Sequence, residues 1–354
     1  MKSIHMTSMG IPEEKKVGTL ALMDVPMPAV GPEDVLVRVA YASICGSDGH
    51  VLRSELSPDL YKKVSSALPR PIGHEISGYV AQLGETAAKV SGLHVGDRIT
   101  ANYRHFCNSC YFCRTGQENF CQHPVAYSNG MSEYVSWHMS QIFKIPDEVS
   151  LLDASQTEPL SIALNACRTV FVRFGSRVLI SGAGAIGLMA AQLAKRAGAS
   201  LAAVSDIVAE KREIAKQCGA DAVFDPMDPE WKREAMALTD GLGFDAVIES
   251  SGASSAAQSV PELMSLNGHA VLFAMYRPNF EMKINPFVTF YQHSKHIHGM
   301  YTSADLFPQT IAMLKEMDFT PIIQHVYEKE EYQKAFDDQL SGKYAKLVFR
   351  FAGE

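Results

Sequence analysis

Residues 177–187 have the sequence Arg-Val-Leu-Ile-Ser-Gly-Ala-Gly-Ala-Ile-Gly, and this stretch decides the fold class. It begins as a short apolar run typical of a buried strand and ends in a glycine turn, and residues 185–197 have helical spacing. Further strands are predicted at 201–206 and 244–249, with a helix at 208–218 between them. Strands that alternate with helices of this length predict βαβ units and therefore a parallel sheet.

The glycine turn is followed at a distance by an acidic residue, as in a dinucleotide site. Glycines allow the backbone to approach a pyrophosphate, which the helix N-terminus then receives. Asp206 lies 19 residues after Gly187, where a carboxylate would bind the ribose hydroxyls and repel a 2′-phosphate. The sequence therefore favours a site for NAD over one for NADP. The alternative to a cofactor site is a glycine turn that binds no ligand. The predicted cofactor-binding residues are Gly182, Gly184, Ile186, Gly187, Asp206 and Lys211. Lys211 could equally be a solvated helix charge.

The chain on either side of this segment has a different character. Before about residue 150, short β-like runs such as 35–40 and 79–83 are separated by glycine and proline, which predicts a β-rich unit. After residue 250 we predict a short helix at 261–266 and strands at 270–275 and 296–301. A helix at 307–317 and a strand at 346–351 complete the pattern.

Four of the seven cysteines lie within residues 107–121, as Cys107-x2-Cys110-x2-Cys113-x7-Cys121. Four thiolates this close together can surround one tetrahedral zinc ion. A [4Fe–4S] cluster is a second interpretation, but the fourth spacing is seven rather than three and no proline follows. Reduced, buried thiols are a third. Zinc fits best.

Composition excludes several functional classes. With 354 residues, 47% hydrophobic and 20% charged, the chain can bury a sizeable core. The formal charge of −7 disfavours binding to nucleic acid or to an anionic membrane. The N-terminal residues lack the pattern of a secretory signal, and no uncharged stretch is long and regular enough to span a bilayer. We therefore expect a cytoplasmic protein.

Further residues of metal-ligand type are scattered along the first half of the chain. They are Cys45 followed by Ser47, Asp48 and His50, then His74 with Glu75, then Glu158 before Pro159. Each has an ordinary structural explanation when taken alone, such as a small core cysteine or a hydrogen-bonded histidine. Spacing alone leaves a second metal site open.

Taken together, these motifs resemble the zinc-dependent medium-chain dehydrogenase/reductase superfamily, which includes the alcohol and polyol dehydrogenases. The similarity covers Cys45–His50, Gly73-His-Glu75, Gly96-Asp-Arg98, the four-cysteine lobe and Glu158–Ser161, besides the glycine turn. The resemblance implies an α/β fold with a GroES-like catalytic domain at 1–155 and 302–354. A Rossmann domain with a doubly wound parallel sheet would occupy 156–301.

The resemblance also implies roles for individual residues. A catalytic zinc would be held by Cys45 and His74, with Glu75 or Glu158 as the carboxylate, and a structural zinc by Cys107, Cys110, Cys113 and Cys121. Ser47 and His50 resemble a relay that carries the hydroxyl proton to solvent. Asp48 would orient a ligand imidazole. The implied chemistry is hydride transfer between an alcohol and NAD.

The segment Glu158–Arg168 is similar to polyol dehydrogenases, which implies a polyol, sugar acid or sugar phosphate as substrate. Thr302 stands where the sorbitol enzymes have an arginine, and Val51 stands where they have an aromatic residue, so the pocket differs from theirs. Arg53, Arg70 and Arg277 are candidates for binding an acidic substrate.

The sequence leaves several alternatives open. A diol or amino-alcohol dehydrogenase of the butanediol or threonine type is the main one. Zinc-free quinone or enoyl reductases and a non-catalytic NAD-binding relative are more distant. The resemblance further implies a homodimer or homotetramer, through pairing of the edge strand at 296–301.

Overall fold

The structure is a computed structural model that describes residues 1–303 and 305–352. Within these residues the strands are β1 (Lys2–Met6), β2 (Leu20–Asp24), β3 (Asp34–Ser43), β4 (Arg70–Pro71), β5 (Glu75–Leu83), β6 (Arg98–Ala101), β7 (Arg104–His105), β8 (Val125–Ala126), β9 (Tyr134–His138), β10 (Ile142–Lys144), β11 (Arg177–Ser181), β12 (Leu201–Ser205), β13 (Ala222–Phe224), β14 (Phe244–Glu249), β15 (Met264–Leu272), β16 (His296–Gly299), β17 (Ile323–Glu328) and β18 (Lys346–Arg350). The α-helices are α1 (Gly46–Leu52), α2 (Pro58–Ser65), α3 (Glu85–Val90), α4 (Tyr111–Arg114), α5 (Leu151–Ala154), α6 (Thr157–Thr169), α7 (Ala185–Arg196), α8 (Ala209–Gln217), α9 (Trp231–Ala237), α10 (Ser254–Leu263), α11 (Phe307–Met313) and α12 (Tyr332–Leu340). A π-helical turn covers Phe287–Gln292.

A six-stranded parallel sheet forms the second half of the chain, in the order β13-β12-β11-β14-β15-β16. The chain order changes direction at β11, whose neighbours β12 and β14 lie on opposite sides of it. At such a switch point the loops after the two strands diverge and leave a crevice at their carboxyl ends. The predicted α/β class is confirmed.

The glycine turn after β11 is sterically specified. Gly182 has a φ of +98°, which strongly favours glycine, and a Cβ on Gly187 would lie 1.9 Å from the Gly182 carbonyl oxygen. The start of α7 therefore lies very close to the end of β11. A residue with any side chain at position 187 would force the two apart.

A seven-stranded sheet contains strands from both ends of the chain. Its main order is β10-β6-β5-β3-β18-β17, with β9 also paired to β3. The central strand β3 pairs antiparallel with β5 and with β18. The C-terminal strands β17 and β18 thus complete a sheet that residues 34–144 begin.

Helix α6 lies between the two sheets and packs against α7. The largest hydrophobic cluster includes Leu160 of α6, Leu188 of α7, Val178 of β11 and Val348 of β18. Burial of this continuous cluster holds the two sheets together.

One predicted region differs from the structure. We predicted a helix at 261–266 and a strand at 270–275, whereas α10 ends at Leu263 and β15 begins at Met264. Pro261, the first residue of the predicted helix, lies near the C-terminus of α10. The helix face that decides its position carries Ala257, Val260 and Leu263, all buried. No described helix has the length and apolar character needed to cross a bilayer.

Candidate active site

Four segments meet at the end of β3, around Ser43. Ser43 lies opposite Glu75 in the β3–β5 register and opposite Val348 of β18. Its hydroxyl also accepts a hydrogen bond of 2.7 Å from Nε2 of Gln156, immediately before α6. The backbone that follows β3 leads directly to Cys45, which caps the N-terminus of α1. Residues distant in sequence are thereby brought together.

Cys45, His74 and Glu75 form a cluster of potential metal ligands. One ligand atom from each lies within 4.8 Å of the others. One thiolate, one imidazole and one carboxylate form a donor set that suits a catalytic zinc with a position open for water or substrate. The structure therefore brings together three of the four predicted catalytic ligands.

The carboxylate of Glu75 has one oxygen with a partner and one without. Its side chain is 1% exposed, and Oε2 accepts a hydrogen bond from Nζ of Lys346, which also donates to the Ile44 carbonyl at 3.1 Å. Oε1 is buried without a hydrogen-bond partner. A buried carboxylate oxygen without a donor is costly unless a cation compensates it, so the residues present fit a metal ion. Sequence reasoning missed Lys346.

Glu158 lies in the first turn of α6, close to this cluster but outside the set of mutually adjacent atoms. It is 7% exposed, and burial raises its pKa to about 7, with the charge of Glu75 acting in the same direction and His74 opposing it. A carboxyl group that changes charge near neutral pH can exchange a proton with its surroundings.

Two further residues shape the electrostatics of the cluster. Burial lowers the pKa of His74, but the Cys45 thiolate and nearby carboxylates outweigh it and raise the pKa well above the ordinary value. Asp48, predicted to orient an imidazole, accepts a hydrogen bond of 3.0 Å from the Cys45 backbone nitrogen instead. It contributes to the charge around His74 while capping α1.

Ser47 and His50 both lie on α1, three residues apart and therefore on one face of the helix. Both side chains are partly exposed. Nδ1 of His50 is 2.7 Å from Oε2 of Glu55, a partner that sequence reasoning missed. This contact fixes the orientation of the His50 ring.

The four cysteines of the lobe are also brought together. The sulfur atoms of Cys107, Cys110, Cys113 and Cys121 all lie within 4.8 Å of one another. The Cys107 sulfur is 3.5 Å from that of Cys121 and 3.9 Å from that of Cys113, close to the roughly 3.8 Å expected for a tetrahedral zinc with bonds of about 2.3 Å. Hydrogen bonds from Ser109 lower the pKa of Cys107 to about 5, which favours the thiolate that a metal requires.

A cavity of about 540 Å³ lies at the carboxyl ends of β11 and β12. Gly182, Gly184, Asp206 and Lys211 line it, whereas Ile186 and Gly187 do not. Gly187 instead allows the close approach of α7 to β11. A cavity of this size at the switch point of a parallel sheet suits a dinucleotide.

The Asp206 side chain binds the backbone of two turns, the glycine turn after β11 and the turn that follows β12. One carboxylate oxygen accepts a hydrogen bond of 2.7 Å from the Ala183 nitrogen, and the other accepts one of 2.8 Å from the Val208 nitrogen. Each oxygen keeps a further lone pair for a ribose hydroxyl. Burial lowers the pKa of Lys211, while Asp206 opposes this effect.

Arg104 was not among the predicted site residues. It lines a small cavity together with Glu158 and Thr302, the residue found where the resemblance placed an arginine. Its neighbour Tyr103 has its ring 4.8 Å from that of His74. A cationic group therefore lies in the cavity that Glu158 lines. Only its position next to the cysteine lobe could have suggested this from the sequence.

Comparison with known proteins gives matches over nearly the whole chain. Residues 31–147 match the family described as alcohol dehydrogenase GroES-like domain, and residues 185–316 match the family described as zinc-binding dehydrogenase. The chain is 33% identical to an L-threonine 3-dehydrogenase of Pyrococcus horikoshii, over 93% of this chain and 94% of that protein.

Solved structures show the same relationship. A protein from Clostridium scindens, described as a zinc-binding dehydrogenase, is 40% identical with a TM-score of 0.96, and 99% of each chain is covered. A similarly described protein from Sinorhizobium meliloti, bound to NADP, is 25% identical with a TM-score of 0.85, over 99% of this chain and 100% of that one. An alcohol dehydrogenase from Escherichia coli, complexed with NADH, is 26% identical with a TM-score of 0.85 and 99% coverage of both chains.

Proposed function

Because this chain belongs to the zinc-binding dehydrogenases of the medium-chain alcohol dehydrogenase superfamily, we propose that it oxidises a secondary alcohol with NAD as hydride acceptor. The substrate is a polyol, sugar acid or sugar phosphate. The observation that carries this proposal is the cluster of Cys45, His74 and Glu75, whose ligand atoms lie within 4.8 Å of one another.

Cys45, His74 and Glu75 hold the catalytic zinc, with Glu158 beside it. When both groups are bound, zinc polarises the substrate hydroxyl and the nicotinamide accepts the hydride. Lys346 binds Oε2 of Glu75 and leaves Oε1, which has no hydrogen-bond partner, as the oxygen that would ligate the metal. Cys107, Cys110, Cys113 and Cys121 hold a structural zinc.

The hydroxyl proton leaves through Ser47 and His50. A serine hydroxyl can accept one hydrogen bond while it donates another, so it can pass a proton on, and histidine is a side-chain type that exchanges protons near ambient pH. Glu55, hydrogen-bonded to His50, stabilises the imidazolium that forms when the proton arrives.

Asp206 selects NAD over NADP, and Lys211 adds a ribose contact. We assign residues 1–155 and 302–354 to a catalytic domain and 156–301 to the cofactor domain. We also propose a homodimer or homotetramer, supported by the position of β16 at the outer edge of the described parallel sheet. We place the protein in the cytoplasm.

A second candidate is an amino-alcohol dehydrogenase of the threonine type. It is favoured by the L-threonine 3-dehydrogenases among the curated relatives, such as the protein from P. horikoshii. Threonine and a sugar acid share a hydroxyl close to a carboxylate, so the two candidates differ mainly in the need to bind an ammonium group.

The test is the appearance of NADH with zinc-loaded enzyme and a panel of polyols, sugar acids, sugar phosphates, vicinal diols and L-threonine. His74→Ala should abolish turnover and leave NAD binding unchanged, because it removes a metal ligand only. His94→Ala, at a histidine whose side chain is 80% exposed, is the matched control and should retain full activity. Turnover by the His74 variant would contradict the assignment, and no turnover by the parent enzyme would contradict the function.

A further inference from the structure

Arg104 is a buried arginine whose guanidinium forms no hydrogen bond with the described residues. The residue is 7% exposed, and its Nε and Nη1 atoms are buried with no acceptor. The rings of Tyr301 and Phe106 lie 5.0 Å and 5.6 Å from the guanidinium carbon. Aromatic ring faces attract the positive charge of a guanidinium. They do not replace the oxygen acceptors that its in-plane N–H groups require.

An unpaired buried guanidinium is unusual, because arginine stays charged and burial of an isolated charge is costly. Arg177 shows the ordinary arrangement, with Nη2 and Nε bound to the Asp245 carboxylate at 2.6 Å and 3.0 Å. No ion pair between described residues involves Arg104. The charge of Arg104 is therefore available to an anion from outside the chain.

Arg104 lies close to residues of the candidate active site. It lines one cavity with Glu158, Tyr103 and Thr302, and the Tyr103 ring lies against that of His74. Thr302 also contributes a buried hydroxyl without a partner. Both polar groups line this cavity together with Glu158, whose charge acts on His74, so a molecule with its hydroxyl at the metal-ligand cluster can place a second polar group near Arg104. The cavity is narrow, with a volume of about 10 Å³, so it must widen when such a group enters.

We propose that Arg104 binds the anionic oxygen group, carboxylate or phosphate, of an acidic hydroxylated substrate. This inference rests on the proposed function and narrows it, since it excludes neutral polyols as the preferred substrates. A guanidinium presents paired N–H donors that match such groups.

The arginines singled out from the sequence are less suitable. Nε of Arg53 is bound to Glu55 at 3.1 Å, and Arg277 is exposed. Arg70 donates to the Ser128 hydroxyl at 2.8 Å and faces Asp48, whose carboxylate already compensates part of its charge. Arg104 forms no ion pair with a described residue, and two of its nitrogens have no acceptor.

The experiment compares Arg104→Met with Arg38→Met. Arg38 also lies over a tyrosine ring, 4.7 Å from the centre of Tyr79, but lines neither the nucleotide cavity nor the cavity of Arg104. It therefore controls for the loss of cation–π packing. The substrates are an aldonate, an alditol phosphate, the neutral alditol, L-threonine and 1-amino-2-propanol, the last lacking the threonine carboxylate.

The proposal predicts that the parent enzyme prefers an anionic member of the panel. Arg104→Met should lower kcat/KM for that substrate roughly 10- to 150-fold, the value of a hydrogen bond to a charged group, and change the neutral analogue less than about threefold. Arg38→Met should leave both unchanged. A parent enzyme that prefers the neutral alditol, or equal losses on charged and neutral substrates, would overturn the proposal.

A binding measurement keeps the inference separate from the proposed function. Acetate and inorganic phosphate are added to the zinc-loaded proteins, and the thermal unfolding midpoint is recorded. At least one anion should raise the midpoint of the parent and of Arg38→Met but not of Arg104→Met. If no panel substrate is oxidised but this pattern is observed, the proposed function fails and the anion site stands. Equal shifts in all three proteins, or no shift in the parent, would refute the site.

Discussion

Replacing Lys346 by methionine should destabilise this protein far more than replacing a surface lysine. Lys346 and Glu75 form an ion pair whose side chains are 3% and 1% exposed. Removal of one member leaves a buried charge without compensation, which costs about 3–5 kcal/mol. Methionine has a similar length and no charge, so little of this loss would come from a cavity.

The assay is urea unfolding of the zinc-free protein, with two comparison variants. Lys195→Met breaks the pair with Asp221, whose side chains are 33% and 37% exposed, and should cost less than about 1 kcal/mol. In the double variant Lys346→Met/Glu75→Gln both charges are absent, so it should be more stable than Lys346→Met alone. The reasoning is refuted if Lys346→Met costs no more than Lys195→Met, or if the second substitution only adds to the damage.

The loss of stability caused by Lys346→Met should also depend on zinc. An ion at the Cys45 and His74 cluster would compensate the charge of Glu75 when Lys346 is absent. The penalty of Lys346→Met should therefore be smaller in the zinc-loaded protein than in the zinc-free one. The structural zinc affects parent and variant alike and cancels from the comparison. A penalty that grows when zinc is added would contradict the position of Glu75 at the metal.

Three further predictions concern other parts of the molecule. Asp206→Ala should raise the ratio of kcat/KM for NADP to kcat/KM for NAD, and an unchanged ratio would contradict the role of Asp206 in cofactor selection. The same variant should lower the free energy of unfolding by about 1–3 kcal/mol, because two backbone N–H groups lose their acceptor. Cys110→Ser should lower the zinc content by one ion per chain, measured by atomic absorption, with NAD binding retained; two ions in the variant would exclude the cysteine lobe as a site. In the pair of Asp245 and Arg177, burial raises the pKa of Asp245 but the guanidinium outweighs it and lowers the pKa overall. The ion pair should stabilise the folded protein by less than about 1 kcal/mol at this exposure. This contribution should be present above pH ~4 and disappear as the pH falls through the lowered pKa of Asp245, so the free energies of unfolding of the parent and of Arg177→Met should become equal in acid.

The proposed anion site bears on the choice between the two candidate functions. Sugar acids and threonine both carry a carboxylate, so Arg104 fits either. They differ at the neighbouring carbon, where threonine has an ammonium group that requires an acidic or carbonyl partner. Glu158, whose pKa is raised to about 7, is the acidic side chain that shares a cavity with Arg104. Turnover of L-threonine against an aldonate therefore decides which class the pocket serves.

The parts of the site that the sequence predicted well are those built from residues close together in the chain. The glycine turn and the cysteine lobe each lie within fifteen residues, so their geometry follows from local backbone and ligand spacing. The β11 and β14 strands were predicted closely, because their apolar runs are buried on both faces. The region 254–272 was not, since the position of α10 is set by burial of one helix face against the rest of the fold.

By itself, the sequence determined the parallel sheet, the nucleotide crevice, the cysteine lobe and, through resemblance, the residue types expected at a second metal. Which oxygen of the Glu75 carboxylate is left without a hydrogen bond was decided by the tertiary structure, because Lys346 binds the other oxygen from 271 residues away. The same holds for Arg104 and Thr302, which face one cavity from distant segments. Such contacts depend on sheet register and on the packing between sheets. Neither is encoded in the spacing of neighbouring residues, so only the folded chain reveals them.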